Sequence, residues 1–374
     1  MAKKGQKAEQ KGSTSQIDGI LLAAVLIMMA VGLVMVMSAS GVAAEQRFGD
    51  ALHFFKKQAL FTGLGLLVIY LCWRIPRSFF YKGVYVWLAM SLAAIGLTLS
   101  PLGVTVGGAS RWLDLGPFHF QPLEAAKVAL VLYLAYFFSH KQDKVKTFSV
   151  GFLPPLVVTT AMAGLLVLQP DFGGAIIMAL LFFLLCLVGG TRLSYLMSSM
   201  LLCAAVASIM ILQSPYRLKR WLAFLKPFQN AQDAGYQVVQ SLYGLGAGHL
   251  TGVGLGAGKQ KLFFLPEAHT DFILAVLGEE TGFLGVSLVF FCLGLMLFRC
   301  FAIAGRQQDL QDRFTALGLT LILGVGALLN AAVVLGTVPP KGLPMPFLSY
   351  GGSNLIIMCF CVGLILNIGD RRRT

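Results

Sequence analysis

"LPEAHTDFILAVLGEETGFLGVSLVFFCLGLMLFRC", residues 265–300, decides how the chain is read. From Phe272 to Cys300 the run is apolar and longer than the roughly 20 residues a helix needs to cross a bilayer. Yet Asp271 stands at its threshold, behind Pro266, Glu267 and His269, and Glu279 and Glu280 lie inside it. A helix turns about 100° per residue, so the two glutamates stand roughly 80° and 180° from Asp271 and do not share its face. Acids at that depth need protein or water around them.

The rest of the chain repeats the apolar theme. It is 57% hydrophobic and 12% charged, with a mean hydropathy of +0.78, where a soluble chain carries roughly a quarter charged residues. Further apolar runs occupy 20–38, 58–73, 84–100, 121–138, 150–168, 172–189, 194–213, 314–336 and 348–368. The expected fold is therefore an all-α polytopic membrane protein of ten transmembrane helices. Residues 19–368 form one transmembrane domain, with 214–271 a large loop between helices 7 and 8. Basic tails, 1–18 and 369–374, flank the domain.

Lysine and arginine set the orientation. Placing both termini inside puts seventeen of them in cytoplasmic segments, against five in the short outer loops. Both ends are read as cytoplasmic. The formal charge of +13 then serves a membrane surface; its spread over many short loops argues against nucleic acid. All seven cysteines fall within spans or at their ends, so no disulfide framework is implied. "MSASGVAAE", residues 37–45, mimics a signal-peptidase site, but the stretch before it is longer than a signal h-region.

The outer loops carry the specificity. Residues 101–122 are too polar to span, 214–271 are longer, and 337–354, "TVPPKGLPMPFLSYGGSN", hold four prolines. Loops of this length rarely lack a function. "GLGAGHLTGVGLGAGK", 244–259, tempts toward a nucleotide, but Val253 stands where a P-loop needs glycine and Gln260 where it needs Ser or Thr. Glycines that press a loop against helices inside the membrane are the better reading. With no HExxH and no zinc spacing among the cysteines, any chemistry runs on carboxylates and cations.

Asp271 is either the N-cap of its helix or a catalyst; the adjacent Glu267 and His269 and a cation-rich loop favour chemistry. Glu279 and Glu280 are read as packing and polar contacts between helices. Glu124 and Lys127, at i, i+3, share a helix face and can pair. Asp171, after Pro170, reads as an N-cap. Arg217, Lys219, Arg220 and Lys226 alternate with Tyr216, Trp221 and Phe224, the pattern of an interfacial segment that meets phosphates.

Taken together, "GGASRWLDLGPFHFQPLEAAK", "LQPDFGGA", "GYQVVQSLYGLGAGHLTGVGLG", "KLFFLPEAHTDFILAVLGEE" and "PPKGLPMPFLSYGGSN" resemble the SEDS family of bacterial cell-wall polymerases, in order, from about residue 18 to 368. The spelling around Lys259–Phe272 is closer to the cell-division branch than to the elongation branch. The chain departs from the usual pattern at Leu123, His249 and Asn354.

The resemblance implies a peptidoglycan glycosyltransferase of the cytoplasmic membrane, at the division septum, that polymerises lipid II. It implies a class B penicillin-binding protein and other divisome membrane proteins as partners. It carries the catalytic acid onto Asp271. Arg111, Arg217, Lys219, Arg220, Lys259, Lys261, Glu267, His269, Lys341 and Ser349 are the expected substrate-binding residues. Glu124, Lys127, Asp171, Glu279 and Glu280 are expected to support them. No cofactor is called for, though a diphosphate admits a divalent cation. A lipid II flippase is the competing reading, but flippase sites lie near the midplane and the polar residues here lie outside it. A scaffold for the transpeptidase is a third reading, and an elongation or sporulation relative of the polymerase a fourth.

Overall fold

The computed structural model describes residues 17–370 except 107, 117 and 234. Both expected basic tails lie outside the described residues apart from 17–18 and 369–370. Thirteen helices follow one another among these residues: α1 (Gly19–Phe48), α2 (His53–Arg74), α3 (Arg77–Lys82), α4 (Val84–Leu97), α5 (Pro122–His140), α6 (Leu153–Leu168), α7 (Phe172–Val188), α8 (Leu193–Leu212), α9 (Pro215–Leu225), α10 (Tyr236–Ala247), α11 (Ile273–Gly305), α12 (Leu310–Val334) and α13 (Gly352–Gly369). Eight are long and apolar enough to cross a membrane, α6 with the π-turn before it; α4 and α7 are shorter apolar helices. These ten stand where the sequence has its ten apolar runs. The two ends of the bundle are called outer and inner here, after the orientation read from the charges.

Two features modify the expectation. Residues 101–122 hold a small antiparallel sheet of β1 (Gly103–Val106), β2 (Ala109–Asp114) and β3 (His119–Phe120), in that order. Val104, Thr105 and Val106 favour extended backbone. The span 214–271 is not an open loop either: α9, capped by Ser214, and α10 occupy much of it.

The core gathers around α5, whose Leu130, Val131, Leu134 and Ala135 are wholly buried. Small residues let backbones close in: a Cβ on Gly363 would meet the backbone of Ile69, and one on Gly32 would overlap the Phe347 carbonyl. α1 begins at Asp18, which caps it through Leu21 N–H and takes the Arg299 fork at 3.0 and 2.5 Å.

α11 is broken. Gly282 has φ 65° and ψ −166°, a region essentially closed to side chains. The break frees backbone groups, which in a membrane must find partners. Residues 249–254 supply them: Val253 and Gly254 N–H donate to Glu279 and Glu280 carbonyls, while Phe283 and Leu284 N–H donate to the His249 and Leu250 carbonyls. A Cβ on Gly248 or Gly252 would collide with α11, so the glycines of this stretch serve backbone approach.

Candidate active site at the outer end

The turn 266–272 leads into α11 and carries Asp271. Its three consecutive carbonyls are all held from outside the turn. Tyr350 N–H donates to His269 O at 2.9 Å, Ser349 Oγ–H to Thr270 O at 2.5 Å, and Asn330 Nδ2–H to Asp271 O at 2.8 Å. Asn330, fully buried on α12, also donates to Leu343 O at 2.6 Å. Gln58 on α2 donates to Ser349 O at 3.2 Å. The backbone of the turn is thus fixed by α12 and the segment 337–351, which α2 braces in turn.

The Asp271 carboxylate itself is left free. Phe272 holds the cap position of α11, and no side chain bonds to the first N–H groups of that helix. A Cβ on Gly342 would sit 2.8 Å from Asp271 Oδ2, so glycine there keeps room beside the acid. Burial first, and the Glu267 carboxylate second, push the Asp271 carboxyl up to about 7, against the pull of Arg111, Arg220 and Lys341. Such a value suits a group that takes a proton near neutral pH.

Those three cations converge from separate segments. Arg111 on β2 donates to Pro170 O at 2.8 Å and its Nε lies 3.8 Å from Asp171 Oδ1. Arg220 on α9 reaches Pro340 O at 3.5 Å. Lys341 lies across Gly173, where any Cβ would collide with it. Burial pulls its ammonium down to about 8, with Asp171 opposing. Lys341 Nζ and Arg111 Nε are buried without a hydrogen-bond partner. Buried cationic donors left open in a native protein call for an explanation, and an anionic ligand supplies one. Among the described residues no three His, Cys, Asp or Glu side chains converge as a metal-holding group.

Other expected residues stand elsewhere. Asp171 caps α7, accepting from Gly174 N–H at 3.0 Å. Arg217 donates to Met210 O at 3.2 Å and lies 5.2 Å from the Phe172 ring, at the margin of the cluster. Lys219 is exposed and paired with Asp233, and Lys259 is exposed in the glycine-rich stretch. Lys261, expected to meet substrate, is buried against Glu280 at 2.6 Å and Ser38 at 3.0 Å. Ser349, also expected to meet substrate, is buried and spends its hydroxyl on the turn. Glu279 accepts from Lys259 and Gln260 N–H at 2.8 and 3.1 Å, which ties the glycine-rich stretch to α11. His269 is half-buried between Phe54 and Tyr350. Glu267 is exposed and accepts from Thr270 Oγ1–H at 2.9 Å.

A free acid on a clamped turn is thus faced by cations from β2, α9 and residue 341. The model of the FtsW/RodA/SpoVE family, described as cell cycle protein, matches residues 19–374. The chain belongs to this family. FtsW/RodA/SpoVE relatives similar to it include the probable peptidoglycan glycosyltransferase FtsW of Trichlorobacter lovleyi, 43% identical over 95% of this chain and 93% of that one. The protein of the same name from Geobacter sp. strain M18 is 40% identical over 95% and 97%. Among solved structures, a chain of a peptidoglycan synthase complex described for coordinating polymerization and crosslinking superposes with a TM-score of 0.79. It is 30% identical and covers 94% of this chain and 97% of its own. The Thermus thermophilus rod shape determining protein RodA gives a TM-score of 0.67 at 28% identity, over 93% and 95%.

One departure from the usual FtsW/RodA/SpoVE pattern has a visible role. Asn354 donates to Glu124 Oε2 at 2.9 Å, while Lys127 holds Oε1 at 2.9 Å, so the buried pair has its acceptors satisfied. Asn330 and Gln58 do not stand out in the sequence as site residues. A signal for Asn330 is there all the same: a lone polar residue in "LLNAAVV", inside an apolar span.

Proposed function

We propose that the chain polymerises lipid II into glycan strands in septal wall synthesis, with Asp271 as general base. Relatives sharing about two-fifths of the sequence carry the name peptidoglycan glycosyltransferase, and the chain is read as an enzyme of that class. The observation that carries the mechanism is the free, clamped Asp271 carboxylate beside a cation cluster in which Lys341 Nζ and Arg111 Nε lack a hydrogen bond. The carboxylate takes the proton of the acceptor sugar hydroxyl. The oxygen attacks the donor anomeric carbon from the face opposite the diphosphate, and the bond to that diphosphate breaks. An α-linked donor becomes a β-linked product. Arg111, Lys341 and Arg220 face the charge that develops on the leaving lipid diphosphate, so no second acid is needed where a glycosidase uses two. Asp171, the Glu279 and Glu280 contacts and the Glu124–Lys127 pair hold the elements that present these groups. A class B penicillin-binding protein crosslinks the product; the likeness to a chain of a peptidoglycan synthase complex supports that partnership.

Purified protein with lipid II tests the assignment. Asp271→Asn keeps size and shape but takes no proton, so strand synthesis should fall at least about a hundredfold in a folded protein. A flippase moves a headgroup without abstracting a proton, and its transport would survive the change. Near-normal polymerisation by Asp271→Asn would move the base to another carboxylate, Glu267 first.

A further inference from the structure

A second polar cavity lies at the opposite end of the bundle, away from Asp271. It has a volume of about 320 Å³ and is lined by Tyr81 and Lys82 of α3, Tyr85 of α4, Tyr136 and His140 of α5, and Gln311 of α12. Small-molecule sites begin at about this size. No carboxylate lines it; Asp312, beside Gln311 in the chain, accepts from Tyr81 O–H at 2.6 Å and pairs with Arg77 at 3.0 Å. The rings are ordered, Tyr85 edge-on to Tyr136 at 5.7 Å and Tyr136 against His140 at 4.2 Å.

What remains open is a set of donors. Gln311 Nε2 is buried with no hydrogen-bond partner. Lys82, exposed, lines the cavity and belongs to none of the ion pairs among the described residues. The Tyr85 and Tyr136 hydroxyls add two more donors. An ammonium, an amide N–H and two phenols, with no carboxylate in the lining, select an anion. The position selects what the anion is attached to. On α4, directly beyond Tyr85, Val86 and Met90 are 58% and 57% exposed, and Phe79 of α3 is 55% exposed. These exposed apolar side chains flank the cavity-lining residues in the chain, on helices α3 and α4 that also line it.

We infer that this cavity binds the phosphate headgroup of an anionic phospholipid of the inner leaflet. The phosphate sits among Lys82, Gln311, Tyr85 and Tyr136, and an acyl chain lies along Val86 and Met90. The inference rests on the orientation of the bundle and not on the chemistry assigned to Asp271. It makes the inner leaflet a ligand of α5 and α12, the helices that carry Lys127 and Asn330.

The full chain in phosphatidylglycerol nanodiscs provides the test, with native mass spectrometry reading the lipid that stays bound after annular lipid is stripped. One phosphatidylglycerol per chain should remain, and phosphatidylcholine nanodiscs should leave none. Lys82→Gln with Gln311→Leu should cut the retained fraction roughly tenfold, the scale of one lost hydrogen bond to a charged group. Lys146→Gln, a loop lysine outside the cavity, should leave it unchanged. Equal loss in both variants would mean diffuse attraction to an anionic surface and would overturn the site. Displacement of the lipid by millimolar inorganic phosphate would make it a soluble-phosphate site and overturn the lipid reading. Tyr136→Phe deletes one hydroxyl and gives the same readout, roughly two- to threefold or more, if the double variant folds poorly; undiminished retention there would also count against the proposal.

Discussion

Gly342 links the two groups on which the proposed chemistry turns, because Asp271 Oδ2 lies against it and Lys341 precedes it in the chain. Their titrations should bracket the activity. The base must be ionised, so kcat/KM should rise with pH through about 7 as Asp271 loses its proton. The anion-binding ammonium must be charged, so kcat/KM should fall as pH passes about 8. The free-enzyme profile is then a narrow bell. Lys341→Arg stays charged throughout this range, so it should remove the alkaline limb and leave the acidic limb in place. Lipid II polymerisation measured at low substrate from about pH 5 to 10 checks both limbs. An acidic limb near about 4, the ordinary carboxylate range, would mean that the environment of Asp271 does not act as described.

At the scale of elements, the turn 266–272 works because α12 and the segment 337–351 hold three of its carbonyls. Asn330 is the link to α12, and it bonds to Asp271 O and Leu343 O together. Asn330→Leu conserves volume but leaves both carbonyls without that donor, at about 1–3 kcal/mol for each one left unsatisfied. The expected outcome is a folded protein whose kcat falls roughly tenfold, the effect of about 1.4 kcal/mol on the barrier, with KM little changed. Reduced yield with normal activity per folded molecule would assign Asn330 to stability alone. This clamp shows where the sequence stops being legible. The apolar runs announce the ten helices, since length and hydropathy are properties of one segment. The three polar outer segments announce the site for the same reason. Lys261 does not announce its partners: Ser38 lies 223 positions away, and a lysine in a polar loop reads as exposed until the fold buries it against Glu280. Tertiary pairing of that kind depends on a topology that no local pattern encodes.

Over the whole molecule, the segments that fold into structure of their own are concentrated at one end. The β1–β3 sheet, α9, α10, the clamped turn and residues 337–351 all gather around Asp271, while the other end holds short basic connections and the headgroup cavity. Such an asymmetry makes sense only if the two ends face different solutions and different substrates. The lysine and arginine count is the argument for which end is which, because cationic connections resist translocation. Asn230 lies between α9 and α10, and Gln308 lies between α11 and α12, so the two should be on opposite sides of the membrane. Single cysteines at these positions report this directly. Among the seven native cysteines, Cys203 alone is exposed, and it sits on α8, an apolar helix long enough to span, so aqueous background labelling should be low. A membrane-impermeant maleimide added to intact spheroplasts should modify Asn230→Cys and leave Gln308→Cys untouched until the membrane is opened. Labelling of both before opening would mean that α11 does not cross the membrane, and labelling of Gln308→Cys alone would invert the bundle. An inverted bundle would put Asp271 on the wrong side for a substrate presented outside, and would send the headgroup cavity to the outer leaflet with it.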